Sequence, residues 1–350
     1  MTIEAPTPTT QNVSRWTRSS IVGTSGFAVL FVLLAALPYL ISLATIYALI
    51  DLFILAILAC TWNLLAGYGG MVSVGQQAYI GLGAYGLVTI ADLLGINVFL
   101  AIPLAAIISA VVAYPVSFLA FRLSGGYFAI GTWVVAEVFR LVTIQFPQLG
   151  GGAGISFGSM AGFPRDLRIA VSYWVALACV VAVVVTCVAL VRSRFGLALT
   201  AVRDDPTAAA TSGVNVQASK RLVFVIAAAG AGLAGSLIAL STLRVQPDGV
   251  FSVQWSAYMI FIVVVGGVGT LEGPLIGVIL FWLAKQALAD FGPLYLIGLG
   301  AVGIVFVLFI RGGIWGAVSR KGRVNLFPVG YHSGAPEGML GLFRRDKPLE

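Results

Sequence analysis

The sequence predicts an all-α fold, a polytopic transmembrane helix bundle of about ten spans with the N-terminus and the C-terminus cytoplasmic. Three observations predict it. Of 350 residues, 59% are hydrophobic and 9% charged, against roughly 25% charged in soluble domains, so polar side chains cannot cover a water-facing surface. Apolar runs of the ~20 residues that a span needs recur along the chain. The basic residues behind the net charge of +7 sit between those runs, where they set membrane orientation. They form no amphipathic soluble face, so the expected partner is the lipid bilayer and no nucleic acid.

In chain order, residues 1–20 read as a polar cytoplasmic tail, 21–315 as the transmembrane domain and 316–350 as a polar cytoplasmic tail. The apolar stretch Phe27–Ile41 runs on into a second one, not into a small-residue cleavage site, which favours an uncleaved first span over a signal peptide. Hydrophobic segments fall at about 21–40, 43–66, 75–94, 98–121, 126–145, 170–191, 221–242, 255–268, 273–290 and 293–310, with Pro38 and Tyr39 marking the first turn-around. Two glycine-rich stretches, 67–75 (GYGGMVSVG) and 266–274 (GGVGTLEGP), predict broken or re-entrant helices. Irregular backbone is tolerated at membrane depth only against protein or a watery cavity, which makes both stretches candidates for lining a path. The other use of such glycines is close helix packing, and Gly269, Gly273 and Gly277, like Ala227, Ala231 and Gly235, recur every four residues.

With the N-terminus inside, 15 of the 20 basic residues fall on the inner side, while Arg165, Arg168 and Arg244 join the acids Asp92, Asp166 and Asp248 outside. Four charges lie within apolar segments. Glu137 and Arg140, three apart, predict an ion pair near the outer membrane face; Asp51 and Lys285 are each expected to reach the headgroups. A chain of carboxylates suited to a proton-driven carrier does not occur. Cys60, Cys179 and Cys187 lie in apolar runs without metal or disulfide spacing, and His332 is the only histidine. The absence of a nucleophile–base pair and of a phosphate-binding loop argues against an enzyme, and no cofactor is expected in this chain.

The loop Arg192–Arg221 carries turn signals at Gly196, Asp204–Asp205–Pro206 and Ser212–Gly213. Pro206 suits the first turn of a helix and Asp205 its N-cap, so Pro206–Ser212 reads as a short cytoplasmic helix stopped by Gly213. An exposed small-residue helix of this kind meets a partner or rests on the membrane as a connector. Thr207–Ala208–Ala209 followed by Gly213 resembles the Glu-Ala-Ala-x-x-x-Gly coupling loop of binding-protein-dependent ABC importer permeases. Asn63–Tyr85, with Gly67, Tyr68, Gly70, Ser73 and Gly75, resembles the signature of the branched-chain amino acid permease family in its M-type subunit. Ser124–Arg140, Phe224–Leu237 and Val264–Gly277 resemble further blocks of it. Thr207 departs from the family's acid, with Asp204 and Asp205 close by, and Gln76–Gln77 replace its His and small residue.

The resemblance implies a permease in the bacterial cytoplasmic (inner) membrane for branched-chain amino acids or a related amide, urea or aromatic acid. It implies a heterodimer with a second, H-type permease subunit, two cytoplasmic ATPase subunits that hold ATP and magnesium, and an extracytoplasmic substrate-binding protein. Coupling to the ATPase falls to Arg203, Asp204, Asp205, Thr207, Ala208, Ala209 and Gly213. For the substrate path, the amide and hydroxyl groups of Ser73, Gln76, Gln77 and Tyr79 suit transient solvation of a polar solute, or else hydrogen bonding between helices. A secondary carrier or channel is the alternative, and it leaves the 192–221 loop without a task.

Overall fold

A computed structural model describes residues 18–160 and 162–288 continuously, with 13–14, parts of 297–304, 312–322, 327 and 332–333. Helix α1 (Arg18–Ala36) stops in a 3-10 turn at Leu37–Tyr39, where Pro38 withholds a backbone donor. Ser42 caps α2 (Leu43–Asn63), which runs on through a π turn at Leu64–Tyr68. The chain then leaves helical form, with Gly70 at φ +67°, and re-enters it as α3 (Gln77–Val88) and a π turn at Thr89–Leu93. Next come α4 (Val98–Ala120), α5 (Gly126–Ile144) and α6 (Arg165–Arg192). The loop helices α7 (Arg194–Asp204) and α8 (Pro206–Thr211) lead to α9 (Val216–Thr242). The chain continues with α10 (Pro247–Val250), α11 (Gln254–Gly266), α12 (Glu272–Ala287) and α13 (Gly313–Gly322). Two-residue strands pair antiparallel: β1 (Val13–Ser14) with β4 (His332–Ser333), and β2 (Ile155–Ser156) with β3 (Arg244–Val245).

Among the described residues, 6 helical stretches are long and apolar enough to cross a membrane: Leu43–Tyr68, Val98–Ala120, Gly126–Ile144, Arg165–Arg192, Val216–Thr242 and Pro247–Gly266. The chain is thus an all-α, multi-pass membrane protein. The expected segment 75–94 is helical over α3 and the π turn that continues it, and 273–290 over the 16 residues of α12; the glycine-rich stretches before them leave helical form at 69–76 and 267–271. The tenth expected segment, 293–310, and most of both terminal tails lie outside the described residues.

Three readings are corrected. Gly196, taken as a turn, lies in the first turn of α7; a Cβ there would overlap the Leu190 and Val191 carbonyls, so its smallness lets α7 fold back against the end of α6. Lys220, taken as loop, is helical, and the segment expected from 221 starts earlier, because Asn215 accepts the Ala218 amide at 2.9 Å and starts α9 at Val216. Asp51 and Lys285 do not reach the headgroups separately but pair at 2.7 Å, each about one-third exposed, and tie α12 to α2.

Helix α9 is the hub, packed on α2, α3, α4 and α6. Its contact with α3 is backbone on backbone: a Cβ on Gly83 would overlap the Gly232 carbonyl, and one on Gly235 the Ile80 carbonyl. Ser236 Oγ donates to the Gly83 carbonyl at 3.1 Å across the same seam. The hairpin of α11 and α12 closes in the same way, with Gly266 against the Gly273 carbonyl and Gly277 against that of Ile262. The packing reading of Gly235, Gly273 and Gly277 therefore holds. At the end expected outside, Asp92 accepts the Gly158 and Ser159 amides at 2.8 Å each, which pins the link between α5 and α6.

Candidate functional site

The six residues of α8 have too few internal hydrogen bonds to hold a helix alone, and both ends are fixed by the sequence around them. Asp205 Oδ1 accepts the amides of Thr207 at 2.8 Å and Ala208 at 3.1 Å, and Pro206 follows in the first turn. At the far end Gly213 adopts φ +85°, a conformation that glycine enters without strain, and the Val214 amide closes on the Ala209 carbonyl at 3.1 Å. Nothing lies within 4 Å of a Cβ built on Gly213, so the demand there is on the backbone, not on space. Replacing Asp205 with Ala should cost about 1 kcal/mol of helix stability, seen as faster hydrogen exchange at the Thr207 and Ala208 amides.

Of the sequence-predicted coupling residues, Thr207, Ala208 and Gly213 are exposed, while Ala209 is 4% exposed and seats the helix. Both nearby acids have partners within the chain. Asp205 is engaged in capping, and Asp204 Oδ1 accepts Arg203 Nε at 2.9 Å.

Arg203 turns the other way, into the bundle. Its Nη1 donates to the Gly67 carbonyl at 2.9 Å. Its aliphatic stem lies over Gly70, its guanidinium lies beside Gly269, and a Cβ on either glycine would crowd it. One loop side chain therefore touches both glycine-rich breaks. Asn63, at the end of α2, joins the breaks to each other: its Nδ2 donates to the Thr270 carbonyl at 2.8 Å, and its Oδ1 accepts the Gly269 amide at 2.9 Å. Asn63 was missed by sequence reasoning, although an amide one turn before a glycine run was a signal for it.

The residues read as a path are all buried: Ser73 and Gln77 are 0% exposed, Gln76 1% and Tyr79 2%. Their contacts lead to different helices. Gln77 Oε1 accepts the Ser256 hydroxyl on α11, whereas the Tyr79 ring lies edge-on to Phe224 of α9. The Ser73 carbonyl accepts Trp62 Nε1 at 2.9 Å. Both polar atoms of the Gln76 amide, Gln77 Nε2 and the Tyr79 hydroxyl are buried without a partner, which is costly in a dry interior. A cavity of about 400 Å³ lies beside the loop, between Gly70–Val72, Phe121, Phe128, Gln217 and Lys220, and none of the four path residues lines it.

Compared with known proteins, residues 44–314 match the family model described as branched-chain amino acid transport system / permease component. The high-affinity branched-chain amino acid transport system permease protein LivM of Escherichia coli (strain K12) is 27% identical over 311 residues, covering 81% of this chain and 73% of that protein. Its Salmonella typhimurium counterpart matches to the same extent. A probable branched-chain amino acid transport permease protein LivM of Methanocaldococcus jannaschii is 26% identical over 199 residues, covering 56% of this chain and 58% of that protein. No solved structure matches. The match spans α2 to the start of α13, which takes in both breaks and the loop between α6 and α9, and by it the chain belongs to the family of permease components of branched-chain amino acid transport systems.

Proposed function

We propose that the chain is the membrane-spanning permease subunit of an ATP-binding cassette importer of the cytoplasmic membrane, coupled to its ATPases through α7 and α8. With a second permease subunit it forms the route for a branched-chain amino acid or a related small polar solute. An extracytoplasmic binding protein delivers that solute, and two cytoplasmic ATPase subunits bind ATP with magnesium. The chain itself is not an enzyme, since its sequence holds no phosphate-binding loop.

The observation that carries this reading is the divided construction of the loop. The exposed side of α8, with Thr207 and Ala208, is free for a partner, while Arg203, a few residues before it, grips the carbonyl of the first break. A push on α8 is thereby delivered to Gly67 and Gly269 and, through the short link after Gly213, to α9. Coupling needs α8 to meet the ATPase differently in its two states, and a capped helix transmits a push where a slack connector would absorb it. A self-contained carrier gives such a loop no role.

The reading is tested by placing charge on the docking side. Ala208→Asp, which leaves the Asp205 cap in place, should release the ATPase from detergent-solubilised complex and lower uptake by about ten- to hundredfold, since an unpaired charge in an interface costs several kcal/mol. Full uptake with the ATPase still bound in this variant would reduce the loop to a connector.

A further inference from the structure

The first turn of α3 holds more hydrogen-bonding capacity than the protein itself uses. Helix α3 and its π turn have 12 and 5 residues, about 25 Å together, short of the ~30 Å hydrocarbon core. With Asp92 at the outer end, the N-terminus of α3 therefore stops inside the membrane. Gln76 is the N-cap residue, yet no side chain caps the helix and no acid lies in its first turn. The amides of Ala78 and Tyr79 close on the Gly75 and Gln76 carbonyls at 3.1 and 3.0 Å. Those of Gln76 and Gln77 have no acceptor among the described residues.

Three side chains of the same turn add to this. Gln76 is 1% exposed with Nε2 and Oε1 both unpartnered, Gln77 is 0% exposed with Nε2 unpartnered, and Tyr79 is 2% exposed with its hydroxyl unpartnered. Side chains on a helix lean toward its N-terminus, so these donors lie toward the end where free amides and the helix dipole favour an anion. Interrupted spans use such an end for the anionic group of a solute. All of the donors are neutral, which suits a carboxylate that must leave again. The 400 Å³ cavity, with Lys220 in its wall, reaches Ala129 of α5. One turn further along α5, the Thr132 hydroxyl accepts the Val74 amide at 3.2 Å. The non-helical stretch 73–75, bonded there, separates the cavity from Gln76.

We infer that the N-terminus of α3, with Gln76, Gln77 and Tyr79, is the binding station for the carboxylate of the passing solute. The station meets the cytoplasmic cavity when the break at 69–76 moves. The inference rests on the importer reading and narrows it: a carboxylate-bearing solute is taken, and its amide or urea is not. The purified full-length complex in nanodiscs, without the binding protein, is heated with L-leucine or benzoate, or with leucinamide, benzamide or urea, at equal millimolar concentrations. A ligand held only by the folded state raises the unfolding temperature. At least one of the two carboxylates should do so, with an affinity about ten- to hundredfold above that of its own amide, the worth of hydrogen bonds to a charged acceptor. Equal effects of acid and amide, or no effect of either acid, would overturn the inference.

Gln76→Leu separates binding from packing. It removes two unpartnered polar atoms from the interior, so the solute-free complex should unfold at the same temperature or higher. The rise with carboxylate should be lost, and uptake in proteoliposomes should fall at least about tenfold. Gln76→Glu keeps the shape and sets a negative charge against the station, so it should abolish the rise whether or not Gln76→Leu folds. A carboxylate-induced rise that survives in Gln76→Glu would make Gln76 a packing residue and overturn the station. Wild-type complex that assembles no ATPase would sink the importer reading instead, and the comparison of acid with amide would still decide the station.

Discussion

Replacing Arg203 with methionine is expected to leave the ATPase subunits bound and hydrolysing while uptake falls by about ten- to hundredfold. Methionine keeps the apolar stem over Gly70 and removes the guanidinium that donates to the Gly67 carbonyl at 2.9 Å. A hydrogen bond from a charged donor is worth ~1.5–3 kcal/mol. That quantity sets the most the loop can transmit through this contact, since a coupling free energy cannot exceed the difference in contacts that produces it. Lysine should rescue only in part: its ammonium is a point charge without the planar fork that lets Nη1 reach Gly67 while Nε holds Asp204. The measurement is solute taken up per ATP hydrolysed in proteoliposomes, with the bound ATPase quantified alongside. Unchanged stoichiometry in Arg203→Met would show that α9, not the breaks, carries the motion. Loss of the ATPase would return Arg203 to the docking surface.

The division of labour between Arg203 and its neighbours shows what the sequence could and could not convey. The helix signals of the loop are local, since Asp205, Pro206 and Gly213 act within one turn of their own positions, and the structure places them as the spacing predicts. The two glycine-rich breaks are legible for the same reason, because glycine density alone disfavours a helix there. What was not legible is long-range. That Arg203 faces Gly67 across 136 positions, that Asn63 spans to Thr270, and that Asp248 completes the Glu137–Arg140 pair all depend on how helices stack. No periodicity encodes those meetings. The polar residues 73–79 are an intermediate case. Their chemistry suggests solvation of a solute, yet their partners on α2, α9 and α11 came only with the packing.

The seam between α3 and α9 is where a single added side chain should do the most structural damage. Gly83→Val is expected to destabilise the protein by about 3 kcal/mol or more, beyond the usual range for overpacking, because the obstacle is a backbone carbonyl and not a side chain that can turn away. The Gly232 carbonyl sits where the new Cβ would go, and Gly232 is itself held from behind by Ser109 and Ala106 of α4. Neither helix can retreat without opening the three-helix contact of α3, α4 and α9. The Ser236 hydroxyl would also lose its reach to the Gly83 carbonyl. Thermal unfolding in detergent should register the loss, with Gly249→Ala as the control, since nothing lies within 4 Å of a Cβ on Gly249. The milder Gly83→Ala should insert and fold with α3 displaced from α9. It tests function as well: α9 begins three residues after Gly213, so a tilt of α8 enters α9 directly and reaches the helix carrying Tyr79 across this seam, beside the Tyr79–Phe224 contact. Uptake should therefore fall more steeply in Gly83→Ala than ATP hydrolysis does. Equal unfolding temperatures for Gly83→Val and Gly249→Ala would mean that α3 and α9 do not meet backbone to backbone, and the route from coupling helix to buried polar cluster would have to be drawn through Arg203 and the Tyr79–Phe224 contact.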